Sequence, residues 1–540
     1  VETLYEAFKA SAIKYASNGF LCVPPLAKRN YYPDGVEFTY SECNEAIENL
    51  KSAYAKAGYG YGHRIGFLLE NRPEYVLHLI ALNGLGISCV PINPDYRHDE
   101  VLYQMEHSGA DLIVTIEDRL KDMEAVAAVR DKPLSVICVD KLLDSLPPAV
   151  SPADLTVPTR ETEASLLYTS GTTGRPKGCV LTNNYHLTAA YWYAGLGGLI
   201  DIREGQERLY NPLPLFHMNA AVVSLGCMVV TGGCLIIPDR FHPRSWWQEV
   251  TDSRATIIHY LGVVPPMLLN QPESDLETSH NVRFGIGAGV EPELHGVFEE
   301  RYGFPLYEVW GMTETGRILA VNSEPRQIDT RAFGRPIKDL EAKIVDGEGR
   351  ELPRGDPGEL LIRCSGEDPR RGFFAGYLKN EDATAEVWEG GWFHTGDTVI
   401  QDETDMLFFV DRKKNIIRRS GENIAAAEVE AILQSHEAVG QVAVIAVKDE
   451  VREEEVMACI VLMPGVQPSV ELASSLFEFG YERMAYYKPP GWVLFLDSLP
   501  TTGTQKIQKT QIFESGVDPR TIEGIFDFRK LKKKQRVLAS

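Results

Sequence analysis

No stretch of this sequence strings together the roughly 20 apolar residues needed to cross a bilayer, and none of its nine cysteines falls in C-x-x-C spacing. The first absence leaves no integral membrane segment to expect. The second removes the common zinc and dithiol patterns. Cys22, Cys43, Cys89, Cys138, Cys179, Cys227, Cys234, Cys364 and Cys459 are scattered, several within apolar runs. They read as small buried hydrophobes of a protein kept in the reducing cytoplasm. Positive charge is scarce too, with 54 Lys and Arg against 76 Asp and Glu, a net charge of -22. That excludes a nucleic-acid binder, which needs a basic footprint. It leaves nucleotides open, because loops and helix ends hold phosphates locally. The N-terminus shows no basic stretch followed by an apolar one, so no signal peptide is expected. The G-x-x-x-x-G-K-[ST] phosphate loop is missing, as is any internal repeat with a period of 20–50 residues.

What is present is ordinary globular material: 540 residues, 44% of them hydrophobic and 24% charged. Strand-like apolar runs at 64–69, 88–92, 111–115 and 135–140 alternate with helical patterns at 39–57 and 73–86, which predicts parallel α/β layers. Residues 145–162, rich in Pro, Ser, Thr and Ala, read as a connector. Strand-like runs recur within 221–237, 256–261 and 282–288. From about residue 340 the strands shorten and turns lie between them, at 341–346, 358–363 and 407–411, predicting a β-rich subdomain over about 335–413. After Lys414 a compact α+β pattern follows: helix 425–434, strands 440–448 and 456–462, helix 470–486, strand 492–497. The basic run from Arg529 to Lys534 reads as a solvated tail.

The most informative segment is Tyr168-Thr-Ser-Gly-Thr-Thr-Gly-Arg-Pro-Lys-Gly178. Gly171, Gly174 and Gly178 let a backbone turn tightly and present N–H groups to an anion. Thr169, Ser170, Thr172 and Thr173 add hydroxyl donors, and Lys177 supplies a point charge. Four further elements stand in order downstream: Pro212-Leu-Pro-Leu-Phe-His217, Gly285-Ile-Gly-Ala-Gly-Val290, Tyr307-Glu-Val-Trp-Gly-Met-Thr-Glu314 and Gly391-Trp-Phe-His-Thr-Gly-Asp397. Phe409-Val-Asp-Arg-Lys-Lys414, Ile417-Arg-Arg-Ser-Gly-Glu-Asn and Leu499-Pro-Thr-Thr-Gly-Thr-Gln-Lys-Ile-Gln-Lys509 close the series.

Together, and over nearly the whole chain, these segments resemble the adenylate-forming enzymes, the family of acyl-CoA synthetases, peptide-synthetase adenylation domains and beetle luciferases. The resemblance implies an α/β fold, with a large domain over 1–413 and a small mobile α+β domain over 414–540 hinged at Lys414. It implies an ATP-dependent acid–CoA ligase that forms an acyl-adenylate, releases pyrophosphate, and then passes the acyl group to coenzyme A. In that family the 168–178 loop clamps the β- and γ-phosphates. His217 gates the acyl pocket, and the turn Gly287, Ala288 and Gly289 lines the adenine. Trp310, Gly311 and Met312 complete a purine slot, with Trp310 where Tyr is commoner. Thr313 meets the α-phosphate. Glu314, with Thr172, serves Mg²⁺, a hard cation that takes oxygen. Asp397 and Arg412 hold the ribose. Ser420, Gly421 and Glu422 line the CoA tunnel, where Arg418 and Arg419 could meet the nucleotide part of CoA or simply face solvent. Lys506 is the mobile catalytic lysine, although Gln505 stands where Gly is usual.

The resemblance is strongest to the crotonobetaine/carnitine–CoA ligase-like branch. The acid is expected to be small, in a pocket of Phe216, His217, Met218, Asn219, Gly262, Val263, Ala288, Gly289 and Trp310. Two other readings stand beside it: a stand-alone adenylating enzyme that serves an amine or a separate carrier protein, and an inactive nucleotide-binding protein. A monomer or homodimer is expected.

Overall fold

A computed structural model describes residues 1–169, 175–337, 339–412, 416–500, 507–514 and 516–533, with the backbone alone at 411, 412, 427 and 510. The chain forms two compact units. One holds Val1–Pro94, Gln104–Leu167 and Gly178–Asp411; the other holds Asp95–Tyr103, Tyr168–Lys177 and Arg412–Ser540.

Among the described residues, the first unit carries three sheets. A seven-stranded sheet runs Gly376–Tyr377, Lys177–Thr182, Glu163–Thr169, Ser88–Pro91, Arg64–Leu68, Leu112–Thr115, Ser135–Cys138. Its central pairs are parallel. The strands at 64–68, 88–91 and 112–115 are almost wholly buried, as unbroken apolar runs covered on both faces should be. Helices begin where local chemistry starts them. Thr39 and Glu42 form a capping box before Tyr40–Lys56, and Pro73 opens Pro73–Asn83 at a position where its missing N–H costs nothing.

The second sheet, of eight strands, runs Ile318–Ala320, Leu306–Gly311, Phe284–Ala288, Ile257–Leu261, Arg208–Tyr210, Cys234–Ile236, Gly19–Val23, Val36–Thr39. The five strands from Leu306–Gly311 to Cys234–Ile236 are parallel neighbours. The third sheet lies within residues 332–412 and pairs antiparallel in the registers given by Leu340–Val345, Gly358–Cys364 and Phe393–Gln401.

The second unit has its own sheet, in the order Glu422–Ala425, Ile416–Arg419, Glu453–Leu462, Trp492–Phe495, Phe526–Asp527, with Val439–Asp449 also on Glu453–Leu462. Helices Ala426–Gln434 and Val470–Arg483 cover it. All nine cysteines are buried and free.

Two sequence expectations are corrected. The run 221–237 is mostly helix: a π-turn segment Asn219–Ser224 continues as Leu225–Thr231, and only Cys234–Ile236 is strand. An apolar run buried all round has no periodicity to separate the two states. Within its described residues, 529–533, the basic tail is not simply solvated. Arg529 pairs with Asp449 and Asp527 and lies 4.1 Å over the Trp492 ring. Lys532 is 2% exposed and donates to Glu455. Arg419, 1% exposed, donates to the other oxygen of that carboxylate at 2.7 Å, so it turns into the protein and not toward a CoA nucleotide.

One carboxylate cannot neutralise two buried cations, and the arginine keeps its proton. Burial, with Arg419 and Arg452 nearby, therefore pushes the Lys532 ammonium down to about 7. Between that value and the ordinary lysine value of roughly 10.4 the unfolded chain binds more protons than the folded one, so stability rises with pH. The contribution is fully present above the unfolded value and lost as pH falls toward 7. Denaturant titrations from pH 7 to 10 should show native stability gaining on Lys532→Met by about 1 kcal/mol per pH unit. A constant difference between the two proteins would contradict this.

Candidate active site

The parallel strands Ile257–Leu261, Phe284–Ala288 and Leu306–Gly311 place Leu261 beside Ala288 and Gly287 beside Glu308. The candidate residues follow at their carboxyl ends, where open α/β sheets bind ligands. Gly287 is buried, and an added Cβ would strike the Tyr260 carbonyl oxygen; Gly289 has φ +86°. The glycines of this turn are thus required by close approach and by backbone sign.

The turn is held from below by a residue the sequence reading passed over. Glu308 accepts the Gly289 N–H at 2.7 Å and the Tyr260 hydroxyl at 2.5 Å. Burial pushes its carboxyl up to about 7. It ties the glycine turn to the Tyr307–Glu314 segment.

That segment ends in a tight turn. Thr315 Oγ1 lies 3.0 Å from the Met312 carbonyl and 2.9 Å from the Arg317 carbonyl, which share its one proton, and the Tyr185 hydroxyl donates to the Thr313 carbonyl at 2.6 Å. Thr313 and Met312 are half-buried, and Gly311 is exposed. Glu314 is buried and accepts from the Tyr377 hydroxyl at 2.8 Å. Burial and that carboxylate hold the Tyr377 phenol far above its usual range. Tyr377 lies 63 residues away in the chain, so no local pattern announced it. Trp310 is buried and donates its indole N–H to Asp397 Oδ2 at 2.8 Å. The adenine and ribose candidates are therefore bonded to each other.

The Thr395-Gly-Asp397 element folds for its own reasons. Thr395 Oγ1 accepts the Asp397 N–H at 3.1 Å and donates to the Leu360 carbonyl at 2.7 Å. Gly396, at φ +72°, gives its N–H to Glu359. Asp397 itself is 1% exposed. Upstream, the buried side chain of Asn71 bonds both the Leu213 carbonyl and the Leu215 N–H. This fixes the strand exit that presents Phe216 and His217, whose rings lie 4.4 Å apart, both half-buried.

In the second unit, Thr169 and Lys177 are half-buried at the two ends of the 170–174 interval. Arg175 lies 5.2 Å over the Tyr103 ring, and the Tyr103 hydroxyl bonds the Pro176 carbonyl. Ser420, at φ +52°, and Gly421, at φ +88°, make the turn into Glu422–Ala425, with the Ser420 N–H on the Arg452 carbonyl. Glu422 is half-buried. Arg412 closes the backbone of the strand Leu407–Arg412. Ser170, Gly171, Thr172, Thr173, Gly174, Lys414 and Lys506 lie outside the described residues.

The structure thus joins, in the first unit, the glycine turn, the Tyr307–Glu314 segment and Asp397. In general chemistry a small-residue turn can face a flat base, a carboxylate can accept from a diol, and a second carboxylate can bind a hard cation.

The model of the AMP-binding enzyme family matches residues 24–378, and that of the AMP-binding enzyme C-terminal domain matches 428–506. The crotonobetaine/carnitine–CoA ligase of Proteus mirabilis is 30% identical over 494 residues, covering 88% of this chain and 93% of that protein. An Escherichia coli K12 protein of the same description is 30% identical over 487 residues, covering 87% and 92%. Among solved structures, the o-succinylbenzoate CoA synthetase of Bacillus subtilis with a product analogue superposes with a TM-score of 0.80 at 26% identity, over 94% of this chain and 98% of that one. The amide bond synthetase of Marinactinospora thermotolerans gives 0.78 at 24%, over 94% and 99%, a likeness of fold.

Proposed function

The chain belongs to the AMP-binding enzyme family, and we propose that it activates a small carboxylic acid with ATP and transfers the acyl group to coenzyme A in the cytoplasm. The observation that carries the reading is the bonded set of Trp310, Asp397, Glu308 and the Gly287–Gly289 turn, a preformed seat for adenosine. The acid is of the kind that the crotonobetaine/carnitine–CoA ligases take.

A carboxylate is a poor electrophile, and adenylation supplies it with a leaving group. The substrate carboxylate attacks the α-phosphorus of ATP and pyrophosphate departs; the CoA thiolate then attacks the mixed anhydride and AMP departs. The protein's share is positioning and charge neutralisation. Asp397 accepts the ribose hydroxyls and the Gly287–Gly289 backbone meets the base. Thr313 offers its hydroxyl to the α-phosphate. Lys177 and the 170–174 loop take the outer phosphates, and Lys506 bridges carboxylate and α-phosphate. His217 shapes the acyl pocket. Arg412 also holds the ribose. Ser420, Gly421 and Glu422 border the path of the CoA arm, while Lys414 at the junction of 1–413 and 414–540 acts as the hinge.

The donor set suits Mg²⁺. Glu314 offers one carboxylate, and Mg²⁺ usually takes one or two carboxylates plus substrate phosphates. Glu314, with Thr172, would hold it, and the ion would neutralise the departing pyrophosphate. Tyr377 orients Glu314. Tyr377→Phe should raise the Mg²⁺ concentration for half-maximal rate about 10-fold, as loss of a hydrogen bond to a charged group implies. An unchanged Mg²⁺ titration would remove Tyr377 from this role.

The deciding experiment is pyrophosphate release across a panel of carboxylic acids, with and without CoA. Pyrophosphate release with no thioester formed when CoA is present, and acyl transfer to amines instead, would favour the stand-alone adenylating enzyme. Silence with every acid would return the inactive reading.

A further inference from the structure

Beneath Phe216 and His217 lies a buried polar chain that the adenylation chemistry does not use. The Leu213 N–H donates to Asn211 Oδ1 at 2.9 Å. That bond fixes which way the Asn211 amide points, so its Nδ2 is the donor to Ser224 Oγ at 2.8 Å and to Asn219 Oδ1 at 2.9 Å. His259 Nδ1 lies 2.8 Å from the same Asn219 oxygen. An amide oxygen only accepts, so His259 carries its proton on Nδ1, and Nε2 accepts from the Tyr193 hydroxyl at 2.8 Å. Burial holds the ring neutral, its value down to about 3. Asn211, Ser224, His259 and Tyr193 are all buried.

The consequence falls on Asn219. Its oxygen is committed twice, inward, and its NH₂ group is turned the other way. Asn219 is only partly buried, and no described protein group accepts from its Nδ2. It opens the π-turn segment two residues after His217. Its partner His259 sits two residues before Leu261, which registers with Ala288 at the strand ends. Four side chains, Asn211, Ser224, His259 and Tyr193, thus hold the Asn219 oxygen inward and leave its amide donor on the segment that carries Phe216 and His217. A purely apolar pocket would have no use for them, since each buried polar group must be satisfied at some cost.

Resting on the ligase reading above, we infer that Asn219 is a specificity-determining residue, and that the acid this protein activates carries an oxygen acceptor in its acyl chain (an oxo, hydroxyl, ether or second carboxylate oxygen). Asn211 and His259 act as positioning residues through Asn219. A site built to bond such an oxygen discriminates against the analogue that lacks it, because the donor is then left unpaired.

The test uses the full chain and acids paired by carbon skeleton, with and without an oxo or ether oxygen, scored as the ratio of kcat/KM within each pair by pyrophosphate release. The native protein should favour the oxygen-bearing member by about 10-fold or more. Asn219→Ala should bring that ratio toward one. Asn219→Asp keeps the size and the inward bonds while replacing the outward donor with an acceptor. It should lower the ratio at least as far, and it answers the question if the alanine variant fails to fold. His259→Phe, which frees the amide to turn, should lower the ratio by a smaller factor. A native ratio near one, or a ratio that none of the three variants changes, overturns the inference while leaving the ligase reading intact. Absence of turnover with both members of every pair overturns both.

Discussion

Lys506→Ala should slow pyrophosphate release from ATP and acid by roughly 10²–10³-fold, the loss expected when one preorganised electrostatic contact to the transition state is removed. Transfer from a supplied acyl-adenylate to CoA should keep most of its rate. The asymmetry is the point. In the first half-reaction two anions, the carboxylate and the α-phosphate, must approach each other, and a cation between them lowers that barrier. In the second, a thiolate attacks an activated carbonyl and the same cation has no anion pair to reconcile. The C-terminal family model matches residues 428–506 and so ends on this lysine. Lys506→Arg should rescue little, because a planar fork does not replace a compact point charge on a flexible stem. The two half-reactions are separated by measuring pyrophosphate release without CoA, and thioester formation from synthetic acyl-adenylate. Equal loss in both assays would reject the assignment of Lys506 to adenylation.

What the sequence made legible, and what it hid, follows from the range of each interaction. The parallel strands at 64–68, 88–91, 112–115, 257–261 and 284–288 were readable because near-complete burial writes a mostly apolar run into each. The run 221–237 is of the same kind, yet only Cys234–Ile236 within it is strand and the rest is mostly helix. Candidate site residues within one motif, such as Trp310 to Glu314, were readable as a group. The bonds that position them were not. Tyr377 reaches Glu314, Tyr185 reaches Thr313 and His259 reaches Asn219 across the fold, and sequence order carries no trace of such partners. Glu308 stood inside a quoted motif and was still passed over, since its role appears only when its carboxylate is seen between Gly289 and Tyr260. Charge was the least legible feature. A run of lysines and arginines looks the same whether solvent or Glu455 receives it, and Arg419 and Lys532 show that the second occurs.

Asp397→Ala should raise the ATP concentration for half-maximal adenylation by about 10²-fold, the sum of two hydrogen bonds between ribose hydroxyls and a carboxylate. It should also cost stability, by about 1–3 kcal/mol, because the Trp310 indole N–H would be left unpaired at a site only 6% exposed. The two effects have one source and can be pulled apart. Asp397→Asn retains an oxygen for the indole but loses the charge and one acceptor, so stability should hold while ATP affinity falls about 10-fold. Trp310→Phe removes the donor and leaves the buried carboxylate one hydrogen bond poorer, so it too should cost stability, by about 1–3 kcal/mol. Any fall in ATP affinity there reports on how far the indole orients Asp397 rather than on ribose contact. Thermal or denaturant unfolding gives the first quantity, and pyrophosphate exchange against ATP concentration gives the second. If Asp397→Asn binds ATP as the native protein does, the carboxylate serves Trp310 alone and the ribose must be held elsewhere.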